Sequence, residues 1–271
     1  MVMNQKLVYK KVLRKQLSGS QKRVTLIATK PTYIMSKRAI ILAGGRGRRL
    51  LPYTVVLPKP LMPIGEYPIL EVIIRQLANY GFTHVTLAVN HQAEIIKAFF
   101  ADGTRFNIKI DYSLEEKPLG TIGPLKLIND LPENFLVMNG DILTDIDYAS
   151  FYDNHVNDNN FFTVSSQKRI QQVDYGTLTT DKMGFLQSFK EKPSLQYEVS
   201  MGIYMMHKDV LNFVPNDTSY GFDQLMLDLM DADRRPAVST FEGYWLDIGR
   251  PDDYMRAIDE FDNLKHRFLD E

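Results

Sequence analysis

The stretch from Arg38 to Gly65 constrains the fold more than any other part of the chain. Ala39–Ala43 is a short aliphatic run that ends at glycine, which is typical of a buried parallel strand. In the loop that follows, glycines allow the backbone to approach a ligand and turn its amides toward an anion, while arginines add positive charge. These loop residues are Gly44, Gly45, Arg46, Gly47, Arg48 and Arg49. We therefore expect a phosphate-bearing ligand here.

Two better-known phosphate loops do not match this stretch. A dinucleotide-binding fingerprint would need a third glycine where Leu50 stands, and a Walker A loop would need Gly-Lys-Ser/Thr where Arg48-Arg49-Leu50 stands. The loop instead resembles the N-terminal signature of the sugar-1-phosphate nucleotidyltransferases: LAGG, one residue, G, one residue, RL, and a downstream PKP. Leu42–Leu50 and Pro58-Lys59-Pro60 match it position for position. Within that family, the resemblance is nearest to members like mannose-1-phosphate guanylyltransferase.

Strand-like and helix-like segments alternate from Arg38 onward. This alternation predicts an α/β protein with a Rossmann-like, mostly parallel sheet flanked by helices. The resemblance implies the nucleotide-diphospho-sugar transferase fold. Ligands bind beyond the carboxyl ends of such strands, so Gly44 and Asp141 are expected to meet across a cleft. The predicted strands are 39–43, 84–89, 107–112 and 135–138, and the predicted helices are 67–80, 93–100 and 121–128.

The second half is less regular, and we expect it to add antiparallel strands that bind the sugar. Its predicted strands are 161–166, 176–180, 185–189 and 201–206, and its predicted helices are 221–230 and 251–266.

The N-terminus differs in charge from the rest of the chain. Residues 1–38 contain ten Lys and Arg and no Asp or Glu, which leaves a net charge of −11 on the remainder of a chain whose total is −1. We predict a flexible basic extension over 1–37 and one nucleotidyltransferase domain over 38–271. The extension could contact nucleic acid, but it lacks a stacking-aromatic pattern, so nucleic acid is not an expected partner. The plainer explanations are a flexible extension without a partner, or upstream codons translated ahead of a start at Met35.

The amino-acid composition indicates the cellular compartment in which the protein is expected. Cysteine is absent, which excludes disulfides, a thiolate nucleophile and cysteine-ligated metal, and favours a reducing cytoplasm. No apolar run approaches the roughly 20 residues of a membrane span, and no secretion signal is recognised. We expect a cytoplasmic protein without a membrane partner. A homo-oligomer is left open.

Two acidic positions follow predicted strand ends. The resemblance implies that Mg²⁺ is the cofactor and that Asp141, after Asn139-Gly140, and Asp247, after Trp245-Leu246, bind it. Magnesium is commonly held by one or two carboxylates together with substrate phosphates. Asp145 and Asp147 lie close enough in sequence to be confused with Asp141, and any one of these acids could simply be a surface residue beside a turn.

The segment 115–124 resembles the family's base-binding loop, with Glu115 reading the base and Gly120 allowing the base to stack closely on the backbone. An ionised carboxylate only accepts hydrogen bonds, so it suits guanine, which offers adjacent N–H donors. GTP is therefore favoured, although family members that read uracil can also carry an acid here. The nucleotide-binding set implied by the resemblance is Leu42, Gly44, Gly45, Gly47, Arg49, Glu115 and Gly120.

The sugar phosphate is assigned by resemblance alone. In the family, a glutamate of a Glu-Lys-Pro motif binds sugar hydroxyls and its lysine binds the sugar phosphate. The matching residues are Tyr175, Gly176, Glu191, Lys192 and Gly202.

The expected reaction is NTP + sugar 1-phosphate → NDP-sugar + pyrophosphate. Arg49 would hold the triphosphate and Lys59 the α-phosphate, and both are assigned as catalytic. The alternatives are a uridylyl- or thymidylyltransferase acting on another sugar 1-phosphate, and a catalytically silent relative that binds a nucleotide sugar and regulates a partner. A third class is a nucleic-acid-binding protein that acts through its basic arm.

Overall fold

The computed structural model describes residues 36–45, 47–90 and 92–269. Residues 1–35 of the predicted extension and Arg46 lie outside this range. The helices are α1 (Ile69–Asn79), α2 (Ala93–Phe100), α3 (Tyr148–Asn157), α4 (Phe222–Asp231) and α5 (Pro251–Phe268). The strands are β1 (Lys37–Leu42), β2 (Pro63–Ile64), β3 (Tyr67–Pro68), β4 (Phe82–Val89), β5 (Lys109–Leu114), β6 (Asn134–Asn139), β7 (Ile142–Thr144), β8 (Phe162–Gln172), β9 (Thr177–Thr180), β10 (Leu186–Lys190), β11 (Ser194–His207), β12 (Ala237–Thr240) and β13 (Trp245–Asp247).

The main sheet of the described chain has seven strands in the order β12-β8-β11-β6-β1-β4-β5. β1 is parallel to both β4 and β6, and β4 is parallel to β5. β11 runs antiparallel to β6 and β8, which joins the second half of the chain to the parallel part. The prediction of a mixed α/β fold with a mostly parallel sheet is confirmed.

Alternating side chains of β1 face opposite sides of the sheet, as the period of a strand requires. Ile41 packs in one core with α1 and α5, whereas Ile40 packs in the other with α4. Both side chains are fully buried, and each such isoleucine stabilises the fold by about 1.5 to 3 kcal/mol. Helices on both faces therefore hold the central strands, and with them the loops at the strand ends.

The predicted helix over 121–128 is wrong. A 3₁₀ helix spans Gly123–Leu127 instead. Gly123 and Pro124 are poor helix formers, and two backbone hydrogen bonds tie the preceding residues to another loop: Ile122 N–H donates to Tyr220 O over 3.1 Å, and Tyr220 N–H donates to Leu119 O over 2.9 Å. Tertiary contacts thus determine the backbone conformation of this segment.

Helix α3 was not predicted from the sequence. Asp147 is its N-cap residue, and the Asp147 carboxylate accepts a hydrogen bond from the Ser150 N–H over 2.8 Å. β8 and β11 are longer than their patterns indicated, since they extend to Gln172 and start at Ser194. Within the described residues, no helix combines the length and apolar character needed to cross a membrane.

Candidate active site

The glycine-rich loop opens at the carboxyl end of β1, between the ends of β4 and β6. Leu42 is paired with Ala88 on one side and Asn139 on the other. Gly140 N–H donates to Leu42 O over 3.0 Å, and a Cβ at Gly140 would lie 3.1 Å from the same oxygen. A glycine at 140 thus lets the chain leave β6 close against β1, which brings Asp141 to the glycine-rich loop.

The loop glycines serve different purposes. A Cβ at Gly45 would meet no atom within 4 Å, so a ligand has room there. Gly47 has a φ of +59°, and a Cβ would lie 2.7 Å from Thr54 Cγ2, while the Thr54 hydroxyl donates to Gly47 O over 2.8 Å. Arg49 lies in the next turn with its side chain exposed, and the neighbouring Leu50 anchors that turn in the core.

Lys59 reaches the metal-binding candidate Asp141 directly. Lys59 is buried at the start of a 3₁₀ turn, and its ammonium contacts Asp141 Oδ2. The other carboxylate oxygen, Asp141 Oδ1, is buried and has no hydrogen-bond partner among the described residues. A buried carboxylate oxygen without a partner is costly, so this atom indicates a missing donor or cation.

Asp247 is brought to the same place by a pair of short strands. β13 pairs antiparallel with β7, with Asp247 opposite Ile142, and Ile248 N–H donates to Asp141 O over 3.0 Å. Burial, and next the Asp141 carboxylate, raise the pKa of Asp247 above its ordinary value, while the charges of Lys59 and Arg49 oppose this.

Arg49 lies close to Asp247. A Cβ at Gly249 would lie 3.5 Å from both terminal nitrogens of the Arg49 guanidinium, so the guanidinium lies against the loop that follows Asp247. The structure therefore gathers four residues that are distant in sequence, which we call the charged cluster. Its members are Arg49, Lys59, Asp141 and Asp247.

The charged cluster fits a divalent cation. The Asp141 carboxylate contributes to the raised pKa of Asp247, and one oxygen of Asp141 has no partner among the described residues. A pair of carboxylates is what a protein usually contributes to a magnesium site, in which phosphates and water complete the coordination. In the described chain, no group of three or more His, Cys, Asp or Glu side chains is placed to hold a metal ion. Any cation here would thus depend on substrate oxygens as well.

The predicted base-reading residue Glu115 lies beside Gly44. A Cβ at Gly44 would lie 3.4 Å from Glu115 Oε2. Glu115 Oε1 accepts from the backbone N–H of Leu119, and Oε2 accepts from Asn90 Nδ2 over 3.2 Å. Glu115 therefore also holds its own loop. Asn90 escaped the sequence reasoning, although a polar residue directly after a buried strand was the available signal.

Gly120 lies in the loop that Glu115 holds, but its immediate neighbour is protein. Its φ is +81°, and a Cβ would lie 2.4 Å from Tyr220 O. Any side chain would collide with that backbone. Packing between the two loops explains the glycine, and the stacking role given to it from the sequence stays a prediction.

The two competing acids have structural partners. Asp145 accepts from the Tyr244 N–H over 2.7 Å and pairs with Arg267. Asp147 caps α3. Because the carboxylates of Asp145 and Asp147 are held by these structural contacts, Asp141 is the better candidate metal ligand of the three.

The predicted sugar-phosphate residues fall into two places. Gly202 is buried in β11 with a φ of +73°, and a Cβ there would lie 2.7 Å from Asn139 Nδ2, so this glycine belongs to the edge of the sheet that carries Asp141. The others lie exposed on a projecting β-ribbon: Tyr175, Gly176, Glu191 and Lys192. Among described residues, no ion pair or hydrogen bond links their side chains to the charged cluster.

Residues 38–263 match the nucleotidyl transferase family. The chain belongs to this family. The match covers the charged cluster, the loop of Glu115 and the projecting ribbon, so the resemblance predicted from the sequence is confirmed.

Named relatives in the family divide between bases. The chain is 34% identical over 224 residues to a D-glycero-alpha-D-manno-heptose 1-phosphate guanylyltransferase of Campylobacter jejuni, covering 82% of this chain and 98% of that one. It is 32% identical over 241 residues to a UTP--glucose-1-phosphate uridylyltransferase of Synechocystis, and 30% identical over 240 residues to a probable mannose-1-phosphate guanylyltransferase 3 of rice. These matches cover 82% and 85% of this chain but only 62% and 66% of the two relatives.

Solved structures agree on the fold. HddC from Yersinia pseudotuberculosis matches with a TM-score of 0.65 and 27% identity, over 83% of this chain and 99% of that chain. A glucose-1-phosphate thymidylyltransferase structure from Bacillus anthracis, described as putative, matches with a TM-score of 0.67 at 22% identity, over 82% and 94% of the two chains. The first has also been solved in complex with GMP-PN.

Proposed function

We propose that this protein transfers a nucleotidyl group from an NTP to a sugar 1-phosphate, giving an NDP-sugar and pyrophosphate. The observation that carries the proposal is the charged cluster, in which two cations and two carboxylates from four separate segments meet beyond the end of β1. Such a set suits the transfer of a phosphorylated group, where catalysis is mainly positioning and charge stabilisation. The family membership and the named relatives support the same reaction.

In the proposed reaction, a phosphate oxygen of the sugar 1-phosphate attacks the α-phosphorus of the NTP. The bond from the α-phosphorus to the bridging oxygen breaks, and its electron pair leaves with pyrophosphate, so no covalent enzyme intermediate is needed. Arg49, which is exposed beside Gly249, would bind the triphosphate and the leaving pyrophosphate. Lys59 would neutralise charge on the α-phosphate as the new bond forms.

Asp141 and Asp247 would hold Mg²⁺. When bound, the ion supplies positive charge that neutralises phosphate oxygens. Asp141 Oδ1 is available as it stands, whereas Oδ2 contacts Lys59. Lys59 would therefore turn from Asp141 toward the substrate as the site fills.

GTP is the nucleotide we propose. Glu115 holds the Leu119 N–H and Asn90 Nδ2, and a carboxylate offers about four lone-pair sites, so roughly two remain for a base that presents adjacent N–H donors. The guanylyltransferase relatives and the GMP-PN complex of HddC support this base. The uridylyltransferase relative keeps UTP as the second candidate.

For the sugar 1-phosphate, we propose that Glu191 binds hydroxyls and Lys192 the phosphate, with Tyr175 and Gly176 beside them. A Cβ at Gly176 would lie 3.1 Å from Glu191 Oε2, so the two segments meet on the ribbon. Because these residues are exposed, they are free to contact a substrate that bridges to the charged cluster.

The test is pyrophosphate release measured with four NTPs against a panel of sugar 1-phosphates in Mg²⁺. Lys59→Met should reduce kcat by at least about 100-fold, and Lys109→Met, at an exposed lysine on β5, should leave it unchanged. Absence of release with every pair would overturn the proposal. Tight binding of an NDP-sugar without turnover would identify the regulatory alternative instead.

A further inference from the structure

The proposed site has two parts that are joined by the inner part of the projecting ribbon. The charged cluster lies beyond the end of β1, whereas Glu191 and Lys192 lie exposed farther out. In the proposed reaction an oxygen of the sugar phosphate attacks the α-phosphorus, so this phosphate must lie between the two parts. The connection is made by residues 167–172 of β8 paired with residues 194–200 of β11, which we call the ribbon stem. A side chain of the stem that faces the charged cluster is therefore placed to contact the phosphate.

Arg169 lies on the face of the stem that contacts the strand of Asp247. Gln167 and Arg169 share this face, because alternate residues of a strand point the same way. Gln167 Nε2 donates to Gly243 O over 2.9 Å, and an Arg169 terminal nitrogen donates to Trp245 O over 3.4 Å. These contacts hold the stem against the segment that leads into β13 and on to Asp247.

The side chains of Trp245 and Asp247 lie on the same face of β13. Leu246 stands between them and is buried in the core, so its two neighbours point away from that core. The guanidinium carbon of Arg169 lies 4.8 Å from the centroid of the Trp245 ring. Arg169 is therefore held by a cation–π contact on the side of β13 that carries the Asp247 carboxylate.

Trp245 also connects Arg169 to Gly202. The indole Nε1–H donates to Met201 O over 3.0 Å, and Gly202 follows directly. Gly202 is the predicted sugar-phosphate residue that lies at the sheet edge carrying Asp141, since a Cβ there would approach the side chain of Asn139. A single indole thus separates the guanidinium from both the metal strand and this glycine.

The Arg169 guanidinium has donors that the described chain does not use. Its contacts are the long hydrogen bond to Trp245 O and the Trp245 ring, and no carboxylate of the described residues pairs with it. The acid of the stem, Glu198, instead accepts from the hydroxyls of Ser166 and Thr240. Arginine stays charged at any working pH, and stacking on an aromatic ring leaves its N–H edge free to bind two phosphate oxygens. A half-buried cation of this kind is matched to an anionic ligand.

We propose that Arg169 binds the phosphate of the sugar 1-phosphate. Two phosphate oxygens would accept from the guanidinium, which leaves another oxygen to attack the α-phosphorus, while Lys192 approaches from the outer ribbon. Trp245 would orient the guanidinium beside the charged cluster. This inference rests on the proposed function and adds to it a phosphate-binding residue that stands in none of the motifs recognised in the sequence.

Steady-state kinetics of the full chain with its best NTP and sugar 1-phosphate test the proposal. Arg169→Gln should raise the KM for the sugar 1-phosphate roughly 10- to 150-fold, as expected for the loss of hydrogen bonds to a charged group. The KM for the NTP and the melting temperature should stay close to the wild-type values. Arg169→Lys keeps the charge but not the planar fork, so its KM for the sugar 1-phosphate should lie between those of the wild type and Arg169→Gln.

Arg234→Gln is the matched control. Arg234 is exposed and lies 5.6 Å from the ring centroid of Phe161, so it makes the same kind of contact away from the charged cluster. Its replacement should leave both KM values unchanged. If Arg169→Gln does not fold, Arg169→Lys carries the test alone, with a KM for the sugar 1-phosphate above the wild-type value.

Three results would overturn the role of Arg169. They are an unchanged KM for the sugar 1-phosphate in a folded Arg169→Gln, an equal rise in Arg234→Gln, and a parallel rise in both KM values with a lower melting temperature. The last result would mean that Arg169 only holds the stem against β13. In each case pyrophosphate release by the wild type would leave the proposed function standing. A wild type that releases no pyrophosphate with any substrate pair would remove the proposed function and this inference together.

Discussion

Lys59 and Asp141 are paired in the charged cluster, with the Lys59 ammonium on Asp141 Oδ2 and Asp141 Oδ1 buried without a partner in the described chain. A cation that binds Asp141 therefore competes with Lys59 for one carboxylate. Asp247 adds a second negative charge, and its burial, followed by the nearby Asp141 carboxylate, raises its pKa. The two acids should respond in opposite ways to mutation when metal is absent.

We predict that Asp247→Asn raises the melting temperature of the metal-free protein at pH 7. A carboxylate whose pKa is raised on folding destabilises the folded state once the pH exceeds that pKa, and the neutral amide removes this cost. Asp141→Asn should instead lower it by several degrees, because it removes the charge partner of the buried Lys59, a loss of about 1 to 3 kcal/mol at roughly 2 to 4 °C per kcal/mol. Calorimetry in EDTA would measure both, with Asp259→Asn on α5 as control. Equal shifts of the two variants would contradict this asymmetry.

Both substitutions should abolish the response to magnesium. Each removes one of the two proposed carboxylate ligands, so kcat should fall at least tenfold, and the thermal stabilisation of the wild type by Mg²⁺ in the presence of a nonhydrolysable NTP should disappear. Activity above about a tenth of the wild-type value in either variant would contradict the assignment of Asp141 and Asp247 as metal ligands.

The affinity for Mg²⁺ should fall with decreasing pH in a range above the ordinary aspartate pKa of about 3.9. Protonation of Asp247 removes a ligand charge, and its raised pKa moves this event to higher pH. Isothermal titration with Mg²⁺ and a nonhydrolysable NTP across pH 5 to 8 would measure the change. An affinity that stays constant down to pH 5, after correction for titration of the nucleotide, would argue against Asp247 as a ligand.

His155 should make the protein sensitive to acid. It is buried on α3 with Nδ1 2.8 Å from Thr163 Oγ1, and burial, with a smaller effect of His207, lowers its pKa from 6.5 to about 4. A histidine kept neutral by the fold contributes stability that is complete above pH 6.5 and is lost as the pH falls toward 4. The expected loss between pH 7.5 and pH 5 is about 2 kcal/mol in the free energy of unfolding, measured with urea. In His155→Asn this loss should be absent, and a loss as large as in the wild type would assign it to other groups.

The sequence predicted the central fold because its signals there are local. The aliphatic run before Gly44 and the alternating segments up to Asn139 depend on burial between two helical layers, which any parallel strand of this kind shows. The ribbon was harder to delimit. Residues 167–172 and 194–200 are mostly polar, and their strands are defined by pairing with each other rather than by burial.

The site shows the same division. The charged cluster consists of residues that stand in recognisable sequence motifs: Arg49, Lys59, Asp141 and Asp247. These residues come together through the pairing of β7 with β13, which no local sequence pattern predicted. Asn90 belongs to no motif, and only the position of β4 beside β1 brings it to Glu115. The sequence also did not show why a glycine is needed at position 120, because the backbone that a side chain there would meet belongs to Tyr220, which is distant in sequence.

The preference for GTP is the part of the proposed function with the fewest supporting contacts. Variants of Glu115 and of its neighbour Asn90 can test it. If Glu115 reads guanine, GTP should exceed UTP in kcat/KM by roughly 5- to 150-fold, since a good bidentate pair discriminates by about 1 to 3 kcal/mol. Glu115→Gln should shrink the ratio, because an amide accepts at only one end while the Leu119 N–H, Asn90 Nδ2 and the base all require acceptors. Asn90→Ala removes only the contact to Oε2 and leaves the carboxylate in place. It should therefore change the GTP to UTP ratio by less than Glu115→Gln does, with little change in the KM for the sugar 1-phosphate. Equal use of GTP and UTP by the wild type, or a ratio that Glu115→Gln leaves unaltered, would remove guanine from the proposal and leave the nucleotidyl transfer itself dependent on the charged cluster.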